Sequence, residues 1–574
     1  MIAAVATVVA VAMMAACHSA SNDGAALPGK NGTLYLILST NPVETLDPQE
    51  ISTATDANVS KEIDRTLTTT NAKGQLVPDL ATDTGRPSNN DTVWEFTLKP
   101  GVKWSDGSPV TCADIQYGVE RRFANQIDKF GGLRYQMDDL ADTANYEGPF
   151  VSTNSTLPSI VCEDTRNVAF HLNRPIGDFG YTVSVNTFAP IKKGADSNRA
   201  PNDAKAFSYD PISDGPYMID PTKTKQDDNT DPQTDMTHLE LVRNPYWDPS
   251  TDSTRKAYPS RIVIDYDPNR PEVTNNLINS TGTYANAISL DGDVTPNFVQ
   301  QVINDPVLSK RAIAGNTGST RYYAINTRRL ALPCRQALEY AFDKRSFRFV
   351  LGGAVAGPLA TSIIPPNLPA HADFDLYETN TQPDGDVAAA QKLWTAANKC
   401  PSSINVTYLS TSPVYQQEVG TIVAAYQRIG VLVHPVPIPA PYWPLIGNPN
   451  SDYDMMYAGW VPDWPNGSAV IPPLFSSQQV TDVLTGRSVS ADNQNYSMLV
   501  SPTIDNQIKQ ANAAQDLSTQ YHLWGELDQE AMKEAAVIPV IYPDALRMSG
   551  SNVRGATISP SFGQPDIATL GVVK

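Results

Sequence analysis

The chain has 574 residues, too many for one hydrophobic core, so two or three domains are expected. With 41% hydrophobic and 18% charged residues, its composition argues against large disordered or membrane-spanning regions. The formal net charge of -19 argues against binding nucleic acid or an anionic membrane through a basic surface. The 46 prolines and 34 glycines, spread along the chain, imply long, stiff loops.

Residues Ile2 to Ala16 are uncharged and mostly Ala, Val and Met. That is too short to span a bilayer as a mature helix and right for the apolar core of a signal peptide, here residues 1–16. The stretch ends Met14-Ala15-Ala16-Cys17 and runs into a polar tether, residues 17–32. It resembles a bacterial lipobox, with Cys17 as the acylated residue. Met14 stands where leucine is usual. No Lys or Arg precedes the apolar run, which points to a start codon upstream of Met1 or a clipped sequence.

Thr33 to Leu38 reads as an apolar strand, followed by Leu46-Asp47-Pro48, a polar solvated loop from Glu50 to Asn58 and a helix over Val59 to Leu67. Trp94, Phe96 and Leu98 alternate with polar residues, the pattern of a strand with one buried face. Val102 to Trp104 reads as a short second strand, and Ser105 to Pro109 as a tight loop. The next helix is capped by Thr111, with Asp114 as its capping-box acid. The segment from Ala124 to Ile160 is an elaborated loop region, within which Asp138-Asp139 reads as a solvated face. Strands follow over Val168 to Leu172, Tyr181 to Phe188 and Arg261 to Tyr266, with Thr222 to Asp235 a charged surface loop. Further on, strands near Tyr322, Asn405, Val431 and Val537 alternate with helices over Pro333–Phe342, Ala388–Ala397, Glu418–Ile429 and Glu526–Ala536. Such alternation implies βα units and a mostly parallel sheet.

Beyond Cys17, four cysteines remain, an even number in a chain that leaves the reducing cytoplasm. Three connectivities are possible. Cys112 and Cys162 fall in one neighbourhood of the chain, and Cys334 and Cys400 both border later helices, so those two pairs are expected. No C-x-x-C pair, H-E-x-x-H, G-x-S-x-G or P-loop occurs, and the six histidines show no ligand spacing, so neither a metal site nor any cofactor is expected.

The run Lys99 to Thr111, Lys-Pro-Gly-Val-Lys-Trp-Ser-Asp-Gly-Ser-Pro-Val-Thr, resembles the signature of extracellular solute-binding proteins (family 5 type) that serve dipeptide and oligopeptide ABC importers. Matching blocks recur in the family's order from Leu46-Asp47-Pro48 through Gly215-Pro216-Tyr217 and Arg243-Asn244-Pro245-Tyr246-Trp247 to Val553-Arg554-Gly555. The resemblance implies an α/β, two-lobed periplasmic-binding-protein-like (type II) fold with a hinge and a third inserted lobe. Lobe I would comprise residues 33–60, 185–290 and 541–574, inserted lobe II residues 61–184, and lobe III residues 291–540. It also implies a non-enzymatic, monomeric, lipid-anchored extracytoplasmic protein that hands short peptides to permease subunits served by separate ATPases.

Asp452 to Trp464 ends a strand in Gly459-Trp460 and sets Asp463 in a Pro-containing loop. This is similar to the family's Gly-Trp-x-x-Asp element, whose aspartate pairs with the ligand's α-ammonium. The resemblance therefore implies that Asp463 is the ammonium anchor and Trp460 an apolar wall, with an extended ligand lying along the strand at Gly459. Tyr457 replaces an arginine that some oligopeptide binders carry for the ligand carboxylate. Tyr322 and Tyr323 are cleft candidates, although tyrosines in a strand are more often core, and Ser52, Thr53 and Ala54, after the Leu-Asp-Pro element, would face the cleft. On the residues alone, a turn-capping Asp463 and a core Trp460 fit as well. An oligosaccharide, a metal chelate or another amine as ligand also stays open, as does a cell-envelope hydrolase or a structural lipoprotein.

Overall fold

The computed structural model describes residues 31–51, 53–124, 137, 139–143, 146–150, 156–195, 212–220, 222–223, 225–226, 236–397, 399–410, 413–439 and 442–573. The signal peptide, Cys17, Ser52, Asp138 and most of the 222–235 insertion lie outside the described residues. Among those described, no helix is long and apolar enough to cross a membrane.

The first sheet runs Ala287–Ser289, Thr33–Leu38, Arg261–Tyr266, Met236–Arg243, Tyr217–Ile219. Leu34 and Leu36 pair in register with Ile262 and Ile264, and all four are buried, so the period-two residues form one wall of a core. Thr33–Leu38 is parallel to both neighbours, but Met236–Arg243 runs antiparallel to Arg261–Tyr266 and to Tyr217–Ile219. The mostly parallel sheet expected is therefore a mixed one. The link 244–260 holds only the one-turn helix Pro249–Thr251, too little for the crossover that a parallel return needs.

The polar stretch expected as a solvated loop is itself a helix, Ala54–Ser60, and the helix expected over Val59 to Leu67 is only turns beyond its end. Thr53 caps it, its hydroxyl accepting from the Asp56 N–H at 3.1 Å. Asp56 is buried and accepts from the backbone N–H groups of Glu44 (3.2 Å) and Thr45 (3.3 Å), while buried Asn58 donates to the Pro565 carbonyl at 3.0 Å. Partners elsewhere in the chain, rather than solvent, satisfy these polar groups.

The inserted lobe is built on Arg86–Ser88, Val93–Thr97, Asn167–His171 and Ile160–Cys162, antiparallel throughout. Trp94 and Phe96 bury their rings against Phe179 and Phe170. Helix Cys112–Arg121 begins at Thr111, whose N–H and hydroxyl both donate to Asp114 at 2.8 Å, as the capping-box spacing predicts. Val102 to Trp104 forms no strand, only a single bridge between Lys103 and Pro109. The strand expected over Tyr181 to Phe188 is replaced by the helical turns Phe179–Thr182 and Asn186–Phe188. Nearly every residue there is buried, so the apolar run carries no periodicity to separate strand from helix. Asp139 is not solvated either: it pairs with Arg174, and burial pushes its carboxyl above the ordinary range.

The third lobe's sheet runs Leu432–Ile438, Ser403–Leu409, Met455–Trp460, Thr320–Ile325, Val537–Ile541. It too is mixed: Ser403–Leu409 is parallel to both neighbours and Thr320–Ile325 antiparallel to both of its own. Helices Leu332–Ala341, Pro413–Gln427 and Leu517–Lys533 contribute buried residues to its core. Cys112 is joined to Cys162 in the inserted lobe and Cys334 to Cys400 in the third, with Cα separations of 5.7 and 5.5 Å.

The chain passes between the first and third sheets through Ala312–Asn316 and returns through Asp544–Met548. These strands pair antiparallel with each other, from Ala312 with Met548 to Asn316 with Asp544. The ribbon is the hinge of a two-lobed α/β fold with a third, inserted lobe.

Candidate functional site

A cavity of about 620 Å³ lies between the start of helix Ala54–Ser60 and the end of strand Met455–Trp460. Thr53, Ala54 and Lys61 line one side and Gly459, Trp460 and Asp463 the other, with Trp443 and Phe562 completing the apolar surface. The Trp460 indole N–H donates to the Ala469 carbonyl at 2.6 Å, folding the 461–469 loop back onto its strand. That contact fixes the half-buried Asp463 at the cavity wall. The very next residue faces away: Trp464 is buried in the hydrophobic cluster of the inserted lobe, and its indole N–H donates to Ser468 Oγ at 2.8 Å.

Gly459 sits where an added Cβ would meet only the Thr320 carbonyl, at 3.8 Å, so the backbone there is open to the cavity. On the edge facing Ser403–Leu409, ladder pairing covers Met455 and Met456 and stops before Tyr457. Arg255, which also lines the cavity, belongs to a buried ionic cluster with Asp79 (2.9 Å) and Asp252 (3.1 Å), to which Arg65 adds a 2.8 Å contact with Asp79. Burial disfavours the Arg255 charge, but Asp79 and Asp252 outweigh it and hold the guanidinium above its ordinary value.

The residues singled out from the sequence thus separate into two groups. Thr53, Ala54, Gly459, Trp460 and Asp463 share one cavity. Tyr457, Tyr322 and Tyr323 are instead buried in the core of the third lobe. The Tyr457 hydroxyl accepts from Arg321 Nε (3.1 Å) and Nη2 (3.0 Å), and Arg321 Nη1 pairs with Glu418 at 2.9 Å. Lys61, Trp443 and Phe562 were not legible as site residues. They lie far apart in the chain and carry no motif, and only the return of the tail past residue 560 brings Phe562 to this wall.

A second cavity, of about 570 Å³, separates the inserted lobe from the third. Its deepest charge, Asp178, is buried and accepts from Ser468 Oγ at 2.5 Å and Asn466 Nδ2 at 2.7 Å. Burial raises the Asp178 carboxyl above its ordinary range, and the hydrogen bonds from Ser468 and Asn466 partly counter it. Among the described residues, no group of three or more His, Cys, Asp or Glu could hold a metal ion.

A cavity between hinge-joined α/β lobes, with a carboxylate residue on a loop from one of them, is the architecture of a solute-binding protein, and likeness to known proteins assigns the class. Residues 75–482 match the model of the Bacterial extracellular solute-binding proteins, family 5 Middle, and the chain belongs to that family. The periplasmic oligopeptide-binding protein OppA of Salmonella typhimurium is 23% identical over 93% of this chain and 91% of its own length. The probable D,D-dipeptide-binding periplasmic protein DdpA of Escherichia coli is 21% identical over 85% of this chain and 83% of its own. Among solved structures, the clavulanic acid biosynthesis oligopeptide binding protein 2 superposes with a TM-score of 0.84 at 25% identity, covering 96% of this chain and 97% of that one.

Proposed function

We propose that this protein is the extracytoplasmic substrate-binding component of an ABC importer, and that it captures short peptides between its lobes. The observation that carries this is one cavity that joins Asp463, Trp460 and Gly459 of the third lobe to Thr53 and Ala54 of the first, across a hinge ribbon. Asp463 would take the ligand's α-ammonium, and Trp460 and Trp443 would offer apolar faces. The strand edge beyond Met456 would pair with ligand backbone, which binds without reading side chains. The relatives named for oligopeptides and dipeptides support the ligand class. Ligand enters the open cleft, the lobes close about the ribbon, and closure proceeds as far as affinity differs between the two states.

Acylation at Cys17, docking on a permease with separate ATPase subunits, action as a monomer and binding without turnover belong to the same proposal. So do the lobe limits 33–60 with 185–290 and 541–574, 61–184, and 291–540. What supports these limits is that three of the hydrophobic clusters draw mainly on those spans, although Val185 and Phe188 pack in the inserted cluster.

The test is a thermal-shift series with short peptides and their N-acetylated forms. Ligand at about 100 times its Kd should add about 2.7 kcal/mol of stability. A shift with free peptides that disappears on acetylation supports the ammonium anchor. A shift with sugars or chelates alone removes the peptide from the proposal.

A further inference from the structure

We infer that Lys61 is the partner of the ligand's carboxylate, so that the cavity selects free zwitterionic peptides by a charge on each wall. The inference rests on the peptide reading above and names the partner that Tyr457, buried against Arg321, does not supply.

Lys61 follows helix Ala54–Ser60, at the junction of the first and inserted lobes, lines the cavity and is only 7% exposed. Its ammonium carries three N–H donors. The contacts it makes are one hydrogen bond to the Thr70 carbonyl, at 3.1 Å, and the Phe562 ring, whose centroid lies 5.6 Å away. Among the described residues no carboxylate comes within the 4.0 Å of an ion pair. Arg255, on the same cavity, is in contrast fully engaged by Asp79 and Asp252.

The carboxyls next to Lys61 in the chain do not neutralise it. Burial pushes Glu62 up to about 8 against the pull of Arg255 and, more weakly, of Lys61 itself, and burial with Asp214 nearby holds Asp64 well above the ordinary range. A nearly buried cation without a counter-ion is costly unless an anion arrives, and the open side of Lys61 is the cavity.

Asp463 stands on the third-lobe wall and Lys61 on the wall opposite, where helix Ala54–Ser60 of the first lobe runs into the inserted one. A ligand with both an ammonium and a carboxylate engages both lobes, whereas one that lacks either end engages one. Only the zwitterion then gains strongly from closure, which couples terminal recognition to the hinge.

The test uses the full chain and calorimetric titration with a random tri- to pentapeptide pool, supplied as free acids and as C-terminal amides. The wild type should bind the amides about 30-fold more weakly, the usual scale for a charge-assisted hydrogen bond. Lys61→Gln keeps an N–H donor for the Thr70 carbonyl and removes the charge, so it should bind acids and amides alike. Lys61→Met, neutral and of similar length, serves if the Gln variant does not fold. Equal binding of acids and amides by the wild type, or an unchanged ratio in the variants, overturns the Lys61 assignment and leaves the peptide reading standing. Binding of no free-acid peptide overturns both.

Discussion

The two interlobe cavities are nearly equal in volume, about 620 and 570 Å³, and both are bounded by the segment Gly459 to Ser468. They differ in how their polar groups are engaged. In the cavity between the inserted and third lobes, Asp178 takes Ser468 and Asn466, Asp139 takes Arg174, and Asp505 accepts the Ser477 N–H at 2.9 Å. The Asp178 contacts join the two walls, and the other two tie each wall to itself. In the cavity at Asp463 Arg255 is likewise engaged, but the walls also present an open glycine backbone and an ammonium with donors to spare, beside the apolar face of an indole. Space alone therefore does not define a ligand site; polar groups left for a guest do.

Substituting the charge in each cavity separates the two roles. Asp463→Asn should cost about 2 to 5 kcal/mol of binding free energy to free peptides in calorimetry, the largest effect on affinity of the substitutions considered. Asp178→Ala should do the reverse. It takes an acceptor from Ser468 and from Asn466, which keeps only Gln520 Oε1, and should lower folding stability by about 1 to 3 kcal/mol in denaturant titrations, with the smaller effect on affinity. If Asp178→Ala weakened peptide binding as much as Asp463→Asn, the distinction between the cavities would fail.

Gly459→Ala sharpens the comparison further. The new methyl group has room beside Thr320, so the melting temperature should hold or rise slightly, while affinity should fall by about 1 kcal/mol because ligand backbone loses its close approach. The smallest effect is a pH slope. The Asp178 carboxyl is raised in the folded state, so folding holds a proton that unfolding releases. Its contribution is complete below the ordinary Asp value of 3.8 and is lost as pH rises through the raised value. Asp178→Asn should flatten that part of the stability profile, whereas Asp463→Asn should leave it in place.

The strand around Phe96 was legible because Trp94, Phe96 and Leu98 are buried and Glu95 and Thr97 are not, which writes a period of two into the sequence. Thr33–Leu38 was legible only as an apolar run, Ile37 being buried as well as Leu36 and Leu38. The Thr111–Asp114 cap was legible because its partners are three residues apart. Strand direction was not: an antiparallel Met236–Arg243 depends on what the chain fails to build between residues 244 and 260. Helix Ala54–Ser60 was hidden for a related reason, since Asp56 and Asn58 look solvent-directed until Glu44 and Pro565 are placed beside them. At the site, the Gly459-Trp460-Asp463 wall is one contiguous stretch and was visible. Lys61 and Phe562 are 501 positions apart (562 less 61) and meet only in three dimensions.

The two disulfides close loops spanning 50 and 66 positions, and each joins two residues of one lobe. Such bridges stiffen the bodies that move and leave the movement itself untethered. Oxidation outside the reducing cytoplasm should thus harden each jaw by about 2 to 4 kcal/mol without setting the gape between them. A mild reductant should lower the melting temperature of this protein well before it changes how far the jaws open.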